Sequence, residues 1–180
     1  MSKTTLRNAL RDLDKDQIAE MVLDLYSARP EAKEYLDFWV SGDIDAKMHK
    51  AKAAIAKEAA RTQRRHARPR MTKIKRYIKD ITSLNADSQA IAEIMAYAVS
   101  RICAVGSDSW LKESTQKSAA RLLHDTLVYA HTHGELPVTG PQLRDDIDSM
   151  RTDTWWARDF HTLMEEELND TVASFAPPLP

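Results

Sequence analysis

The chain has 180 residues, 43% of them hydrophobic, and a formal net charge of −1. This length suits one domain, and the hydrophobic fraction is enough to bury a core. Four glycines are few, and the residues that favour helices dominate the composition. No stretch alternates apolar and polar residues for long enough to indicate a strand, so we predict an all-α protein.

Three short helices are predicted at the start of the chain. Leucines between Leu6 and Leu13 mark the first, and Asp14 is suited to cap the second. Pro30 favours the first turn of a third helix. A fourth, basic helix follows. Pro69 predicts a break or kink near residues 66–70, before a fifth helix at about 72–84.

The second half of the chain carries the clearest helical pattern. A sixth helix is predicted at about 87–104, with Gly106 as its end. A seventh is predicted at about 108–133, and Gly134 is expected to stop it.

Two further helices complete the predicted chain. Pro137 and Gly140 indicate a loop, followed by a short polar helix at 141–150. Asp153 or Thr154 then caps a last helix. We predict an irregular bundle of about eight or nine antiparallel helices over residues 1–174, with a frayed proline-rich tail at 175–180. A short, degenerate α-solenoid is the alternative.

The charge of the chain is divided unevenly. Residues 46–79 contain thirteen lysines and arginines and one acid, Glu58, so this segment carries about +12. The rest of the chain holds 13 basic and 26 acidic residues, which leaves about −13 there. A block of like charge stores repulsion, so solvation or an acidic partner must offset it.

An unbroken helix through this segment would bury a stripe containing Met48 and Ile55 and expose a ridge of cations from Lys50 to Arg68. That ridge would be about 27 Å long, and the next helix would also expose its cations. We define the basic ridge by its eleven predicted members: Lys50, Lys57, Arg61, Arg64, Arg65, Arg68, Arg70, Lys73, Lys75, Arg76 and Lys79.

Three interpretations of the basic ridge compete. In the first, the ridge binds nucleic-acid phosphates, for which the arginines between Arg61 and Arg70 are suited because they make bidentate contacts. In the second, the ridge pairs with a protein surface, either a partner's or the acidic C-terminal third of this chain. In the third, the ridge is only a solvated face. The segment has no exposed aromatic residues between its cations, as a single-strand binder would have, because Tyr77 is predicted to point inward.

Catalytic and metal-binding chemistry has little support in the sequence. His161 and Glu165 are spaced i, i+4 and could make half a metal site, but no second half is evident. A phosphate loop, a paired CxxC motif and a nucleophile elbow are all missing. Cys103 lies in an apolar helical stripe and is expected to be buried. We predict no catalytic residues, no metal and no cofactor.

Trp155 and Trp156 form a second candidate site. Adjacent helical residues point about 100° apart, so both rings cannot face the same core stripe. One is expected to pack with Phe160, and the other is either a partly exposed interface anchor or part of a second core face.

The chain resembles an uncharacterised bacterial family, a domain of unknown function common in Bacteroidetes-type genomes. The resemblance rests on LRNALRDLDKDQIAEMVLDLYSARPEAKEYLDFW at 6–39, RRHARPRMTKIKRYIKDI at 64–81 and TWWARDF at 154–160. It implies a helical, bacterial, cytoplasmic protein and no assigned activity.

These patterns predict a non-enzymatic protein that binds an acidic partner, protein or nucleic acid, through its basic ridge. The alternative is a protein–protein adaptor that uses an apolar patch around Trp155 or Trp156, with the ridge neutralised by the acidic C-terminal helices. No apolar run approaches the roughly 20 residues of a membrane span, so we expect no membrane partner and a cytoplasmic location.

Overall fold

The structure is a computed structural model that describes residues 2–41, 43–63, 66–84 and 86–176, without the side chains of Glu34 and Ser41. Backbone contacts divide the chain into two compact units, residues 1–44 and 45–180. The last four residues of the predicted tail, 177–180, lie outside the described ranges. Phe175, at the start of that tail, stacks on His131 with ring centroids 4.1 Å apart.

The first unit contains three helices: α1 (Lys3–Arg11), α2 (Lys15–Ala28) and α3 (Pro30–Ser41). Asp14 caps α2 as predicted, since its carboxylate accepts a hydrogen bond from the Gln17 backbone while the Gln17 side chain accepts one from Asp14. α2 packs against α3, and Tyr26 donates a hydrogen bond of 2.8 Å to Asp37 across this pair.

The second unit contains nearly all of α4 and everything that follows it. Its elements are α4 (Ile44–Ala59), β1 (Thr62–Gln63), β2 (His66–Ala67), α5 (Met71–Ser83), α6 (Ser88–Asp108), α7 (Glu113–Thr132), α8 (Leu136–Asp148) and α9 (Trp155–Ala173). The two strands pair antiparallel, with Thr62 opposite Ala67 and Gln63 opposite His66.

Helix α6 lies at the centre of the second unit. It contacts α5, α7, α8 and α9, and α7 also packs along α9. Residues such as Ile94, Ile102 and Leu123 are fully buried where these helices meet. A helix with four partners is typical of a bundle, because in a solenoid each repeat contacts only its neighbours. The all-α prediction is confirmed, and the described residues hold nine helices and one very short hairpin.

Side chains cap the starts of α6 and α9, and the cap of α9 is one of the two residues predicted for that role. Asp87 accepts a hydrogen bond of 2.7 Å from the Ala90 backbone at the start of α6, and Thr154 accepts one from Ala157 at the start of α9. Gly134 has a φ of 78°, the left-handed conformation that ends α7.

The prediction that Gly106 ends α6 is wrong, because Gly106 lies inside this helix. A Cβ built on Gly106 would lie 2.2 Å from Cε1 of Phe160 in α9. The glycine therefore allows α6 and α9 to pack closely. From a single sequence, a glycine with this role looks the same as a glycine that ends a helix. The seventh helix consequently begins at Glu113 and not near Asp108.

The predicted loop at Pro137 and Gly140 is also wrong, because both residues belong to α8. Pro137 occupies the first turn of α8. The N–H groups of a first turn have no partner within the helix, so the N–H that proline lacks is not needed there. The helix starts five residues earlier than the predicted 141–150.

The largest departure from prediction is in the basic segment. α4 ends at Ala59, before the predicted break near residues 66–70, and the β1–β2 hairpin stands where an unbroken helix would have carried the ridge to Arg68. The Arg68 backbone N–H donates to the Arg61 carbonyl at 2.7 Å, and the Arg70 N–H donates to the Glu58 carbonyl at 3.2 Å. These bonds fold the chain back on itself, and Ala67 becomes buried.

Candidate nucleic-acid interface

The basic ridge is spread over three elements. Lys50 and Lys57 lie on α4, and Arg61 and Arg68 flank the hairpin. Arg70, Lys73, Lys75, Arg76 and Lys79 lie at the start of α5 and along it. Arg64 and Arg65 fall outside the described residues.

Both helices bury the apolar side that their patterns predict. In α4, Met48, Ala51, Ile55 and Ala59 are buried, whereas Lys50 and Lys57 are exposed. In α5, the buried side is Ile74, Ile78 and Ile81, and the lysines of that helix are exposed. The exposure of these cations is therefore a consequence of core packing.

Glu58, the single acid of the basic segment, joins α4 to α5. Its side chain is only 12% exposed and lies 3.3 Å from Lys73 Nζ and 3.6 Å from Arg70 Nη1. This carboxylate offsets two cations of the basic ridge and fixes the start of α5 against the end of α4. Arg70 and Lys73 are thus part of the scaffold as well as of the ridge.

Two more cations of the segment have carboxylate partners. Lys52 pairs with Glu93 of α6, and its ammonium lies 5.5 Å from the centre of the Tyr97 ring. Arg76 pairs loosely with Asp80 at 3.9 Å. Both contacts are local to α4, α5 and α6.

Six members of the basic ridge pair with no carboxylate among the residues that the structure describes. We call them the uncompensated cations: Lys50, Lys57, Arg61, Arg68, Lys75 and Lys79. Arg68 donates a hydrogen bond of 2.6 Å to the neutral amide of Gln63, which orients its guanidinium and leaves its charge in place.

Acidic residues near the C-terminus contact other parts of the chain. Asp153 binds Arg151 at 2.6 Å, and this contact lowers the pKa of the Asp153 carboxyl. Glu167 contacts His124 of α7 at 3.1 Å. Within the described ranges, no carboxylate of α8 or α9 forms an ion pair with the basic ridge.

The hairpin and the α6–α7 connection enclose a cleft of about 260 Å³. We call it the Trp110 cleft; its lining residues are Gln63, His66, Ala67, Arg68, Trp110 and Lys112. Trp110 is 37% exposed, and its ring lies 6.0 Å from the His66 ring at an interplanar angle of 80°. Arg68 and Lys112 supply two cations to the same opening.

Sequence patterning did not point to Trp110 or Lys112. Both lie within the predicted seventh helix, and more than forty residues separate them from the hairpin. Only the tertiary fold brings them to Arg68, through a hydrogen bond of 3.1 Å from the Ala67 N–H to Ser109 Oγ. The aromatic residue that the basic segment lacks is thus supplied from another part of the chain.

The two C-terminal tryptophans differ in exposure. Trp155 is 68% exposed, whereas Trp156 is half-buried. Phe160 and Ala157 supply the buried side of this turn of α9. Trp155 is therefore outside the core.

Other reactive side chains are held in structural roles. Burial raises the pKa of the Cys103 thiol to about 12, so this cysteine is a poor nucleophile at neutral pH. His161 lies 3.8 Å from Glu165, the predicted half-site. In the described part of the chain, no group of three His, Cys, Asp or Glu residues is arranged to hold a metal ion.

Helix α6 is long and apolar enough to cross a membrane by length and composition, contrary to the expectation that no segment would be. Of its apolar window, 61% is buried inside the protein. A buried core helix of a soluble protein passes the same test.

A comparison with curated proteins and one with solved structures found no match. The resemblance to an uncharacterised family rested on residues 6–39, 64–81 and 154–160. The model described as "Family of unknown function (DUF6155)" matches residues 1–140, which include the first two of these segments and exclude the third. The chain therefore belongs to the DUF6155 family, in agreement with the predicted membership of an uncharacterised family.

Proposed function

We propose that this protein is a non-enzymatic binding protein whose basic ridge engages the phosphates of a nucleic acid. The observation that carries the proposal is the set of six uncompensated cations on one continuous segment of the chain. Exposed cations without carboxylate partners are free to neutralise phosphates and to release the counterions condensed on them.

The local carboxylates support this choice of partner. Glu58 compensates Arg70 and Lys73, which secure the α4–α5 junction, and leaves the cations around them unpaired. An acidic protein would be the other polyanion; bidentate arginine contacts suit both phosphate and carboxylate, so the binding test decides between them. The proposed location is the cytoplasm, with no membrane partner.

The test is fluorescence anisotropy of labelled duplex DNA and single-stranded RNA against the full-length protein, at salt concentrations of about 50 to 200 mM. We expect affinity to fall steeply with salt, because each neutralised phosphate adds about 0.9 to the logarithmic slope for duplex DNA and about 0.7 for a single strand. Absence of binding at the lowest salt would contradict the proposal.

A charge-reversal variant makes the test specific. Changing Arg61, Arg68, Lys75 and Lys79 to Glu should abolish binding and preserve helicity, since all four side chains are exposed. The matched control reverses four cations on α7, α8 and α9: Lys117, Arg121, Arg144 and Arg158. It carries the same net charge, so a loss of binding in both variants would indicate a general charge effect.

A second candidate function is that of a protein–protein adaptor that docks through Trp155. The exposure of this large aromatic side chain, at 68%, favours it. Trp155→Ala should then weaken capture of a protein partner without changing nucleic-acid affinity. The half-buried Trp156 is unsuitable for the same test, because its loss would also disturb packing.

A further inference from the structure

We infer that the Trp110 cleft holds an unpaired base of a single-stranded nucleic acid, stacked on Trp110 with its flanking phosphates on Arg68 and Lys112. This inference rests on the proposed function and specifies its ligand. It assigns to the α6–α7 connection a recognition role in addition to the basic ridge.

The aromatic side chains of the cleft are arranged for a planar ligand. Trp110 keeps 37% of its surface exposed although its neighbour Leu111 is almost completely buried. The His66 ring stands at 80° to it, so a base lying parallel to the Trp110 ring would meet His66 at the same steep angle. An exposed indole with a ring beside it is a stacking platform, and stacking on it tolerates any base sequence.

The charge of the cleft fits the backbone on either side of such a base. Arg68 and Lys112 line it, and no carboxylate is among its described lining residues. The acids nearest in sequence are engaged elsewhere: Asp108 lies 4.0 Å from Arg151, and Glu113 binds Lys117 at 2.6 Å.

The cleft is built on buried anchors. Ala67 is buried, and its neighbours His66 and Arg68 line the opening. Leu111 is also buried, and its neighbours Trp110 and Lys112 line the same opening. The hydrogen bond from the Ala67 N–H to Ser109 fixes the hairpin to the α6–α7 connection. Binding on a surface that is already ordered costs less conformational entropy.

Size and chemistry favour a single strand over the other polyanions. A volume of about 260 Å³ lies just below the range of ~300–1,000 Å³ that holds drug-sized ligands, so one flat ring system is a suitable occupant. Bases inside a duplex are covered on both faces and cannot reach Trp110. An acidic peptide would pair with the cations but has no need of an exposed indole.

The test compares a labelled single-stranded oligonucleotide of about 12 nucleotides with its duplex, using full-length protein. Trp110→Ala should weaken single-strand binding about 5- to 150-fold, the loss expected for one base–aromatic stack, and leave duplex affinity unchanged. Trp110→Phe should retain most of the affinity, and the matched control Trp155→Ala should change neither value.

An oligonucleotide with abasic positions provides a test that needs no folded variant. It keeps the phosphates and removes the bases, so the wild-type protein should bind it more weakly than the intact strand, and Trp110→Ala should bind both equally. Arg68→Ala and Lys112→Ala should each reduce the logarithmic salt slope of single-strand binding by about 0.7.

The outcomes separate this inference from the proposed function. If single strands and duplexes bind but neither Trp110→Ala nor abasic positions reduce affinity, the basic ridge binds phosphate and the stacking site is wrong. If no nucleic acid binds even at low salt, the proposed function fails and this inference fails with it.

Discussion

Gly106 of α6 lies directly against the ring of Phe160 in α9, so close that an added Cβ would lie 2.2 Å from Cε1 and 2.4 Å from Cδ1 of that ring. Phe160 is 1% exposed and is one of the largest fully buried side chains. The glycine therefore sets the distance between these two helices where they meet.

Gly106→Ala should destabilise the protein, although alanine favours a helix by about 1 kcal/mol over glycine. The clash with a buried ring costs typically about 1–3 kcal/mol, and occasionally more, so over most of that range it exceeds the gain. Urea unfolding followed by circular dichroism measures the difference. Gly106→Ala should cost less in a Phe160→Leu background than in the wild type, and an equal cost in both backgrounds would argue against this contact as the cause.

Glu58→Gln should lower stability and raise affinity for nucleic acid. It removes the partner of Arg70 and Lys73, and because Glu58 is only 12% exposed we expect a loss of about 1 kcal/mol, the upper end for surface pairs. Asp80→Asn is the matched control, since it breaks an exposed pair with Arg76 and should cost much less. A drop in nucleic-acid affinity on Glu58→Gln would contradict the proposed electrostatics.

Sodium chloride should raise the melting temperature of the free protein. The uncompensated cations repel one another, and screening relieves that repulsion once the Debye length falls to about 10 Å or less. Differential scanning fluorimetry between low and physiological salt measures the effect. The adaptor alternative, with a ridge neutralised by the chain's own acids, predicts the opposite sign because screening would weaken internal pairing.

The buried thiol of Cys103 should make stability fall at alkaline pH. Burial raises its folded pKa from 9.0 to about 12, so the folded protein keeps a proton that the unfolded chain releases. This contribution is fully present below pH 9 and is lost as the pH rises toward 12.

Cys103→Ala removes that titration. The stability difference between wild type and variant should shrink as the pH rises from neutral to about 10.5, by at most about 1.4 kcal/mol per pH unit. Both proteins contain the same tyrosines, so the tyrosine titration cancels in the difference between their free energies of unfolding. A difference that does not change with pH would mean that the thiol is not buried in solution.

The sequence predicts those parts of the fold that depend on local contacts. Asp14 and Thr154 cap helices as predicted, because each cap involves residues within one turn. The buried sides of α4 and α5 follow from helical spacing, and so does the exposure of Lys50 and Lys75.

The hairpin and the Trp110 cleft depend on contacts that periodicity does not contain. Alanine-rich sequence up to Ala60 favours a longer helix, but the Arg68–Arg61 and Arg70–Glu58 backbone hydrogen bonds and the burial of Ala67 favour the turn. Trp110 joins the basic segment through Ser109, across a sequence separation that no local pattern spans.

The family match ends at residue 140, whereas the core does not. Phe160, Met164 and Leu168 of α9 are buried against the helices that lie within the match. A chain limited to the matched segment would leave one side of α6 and α7 open to water. Residues beyond 140 therefore complete the core of this protein, so the end of the family match is not a boundary of folding.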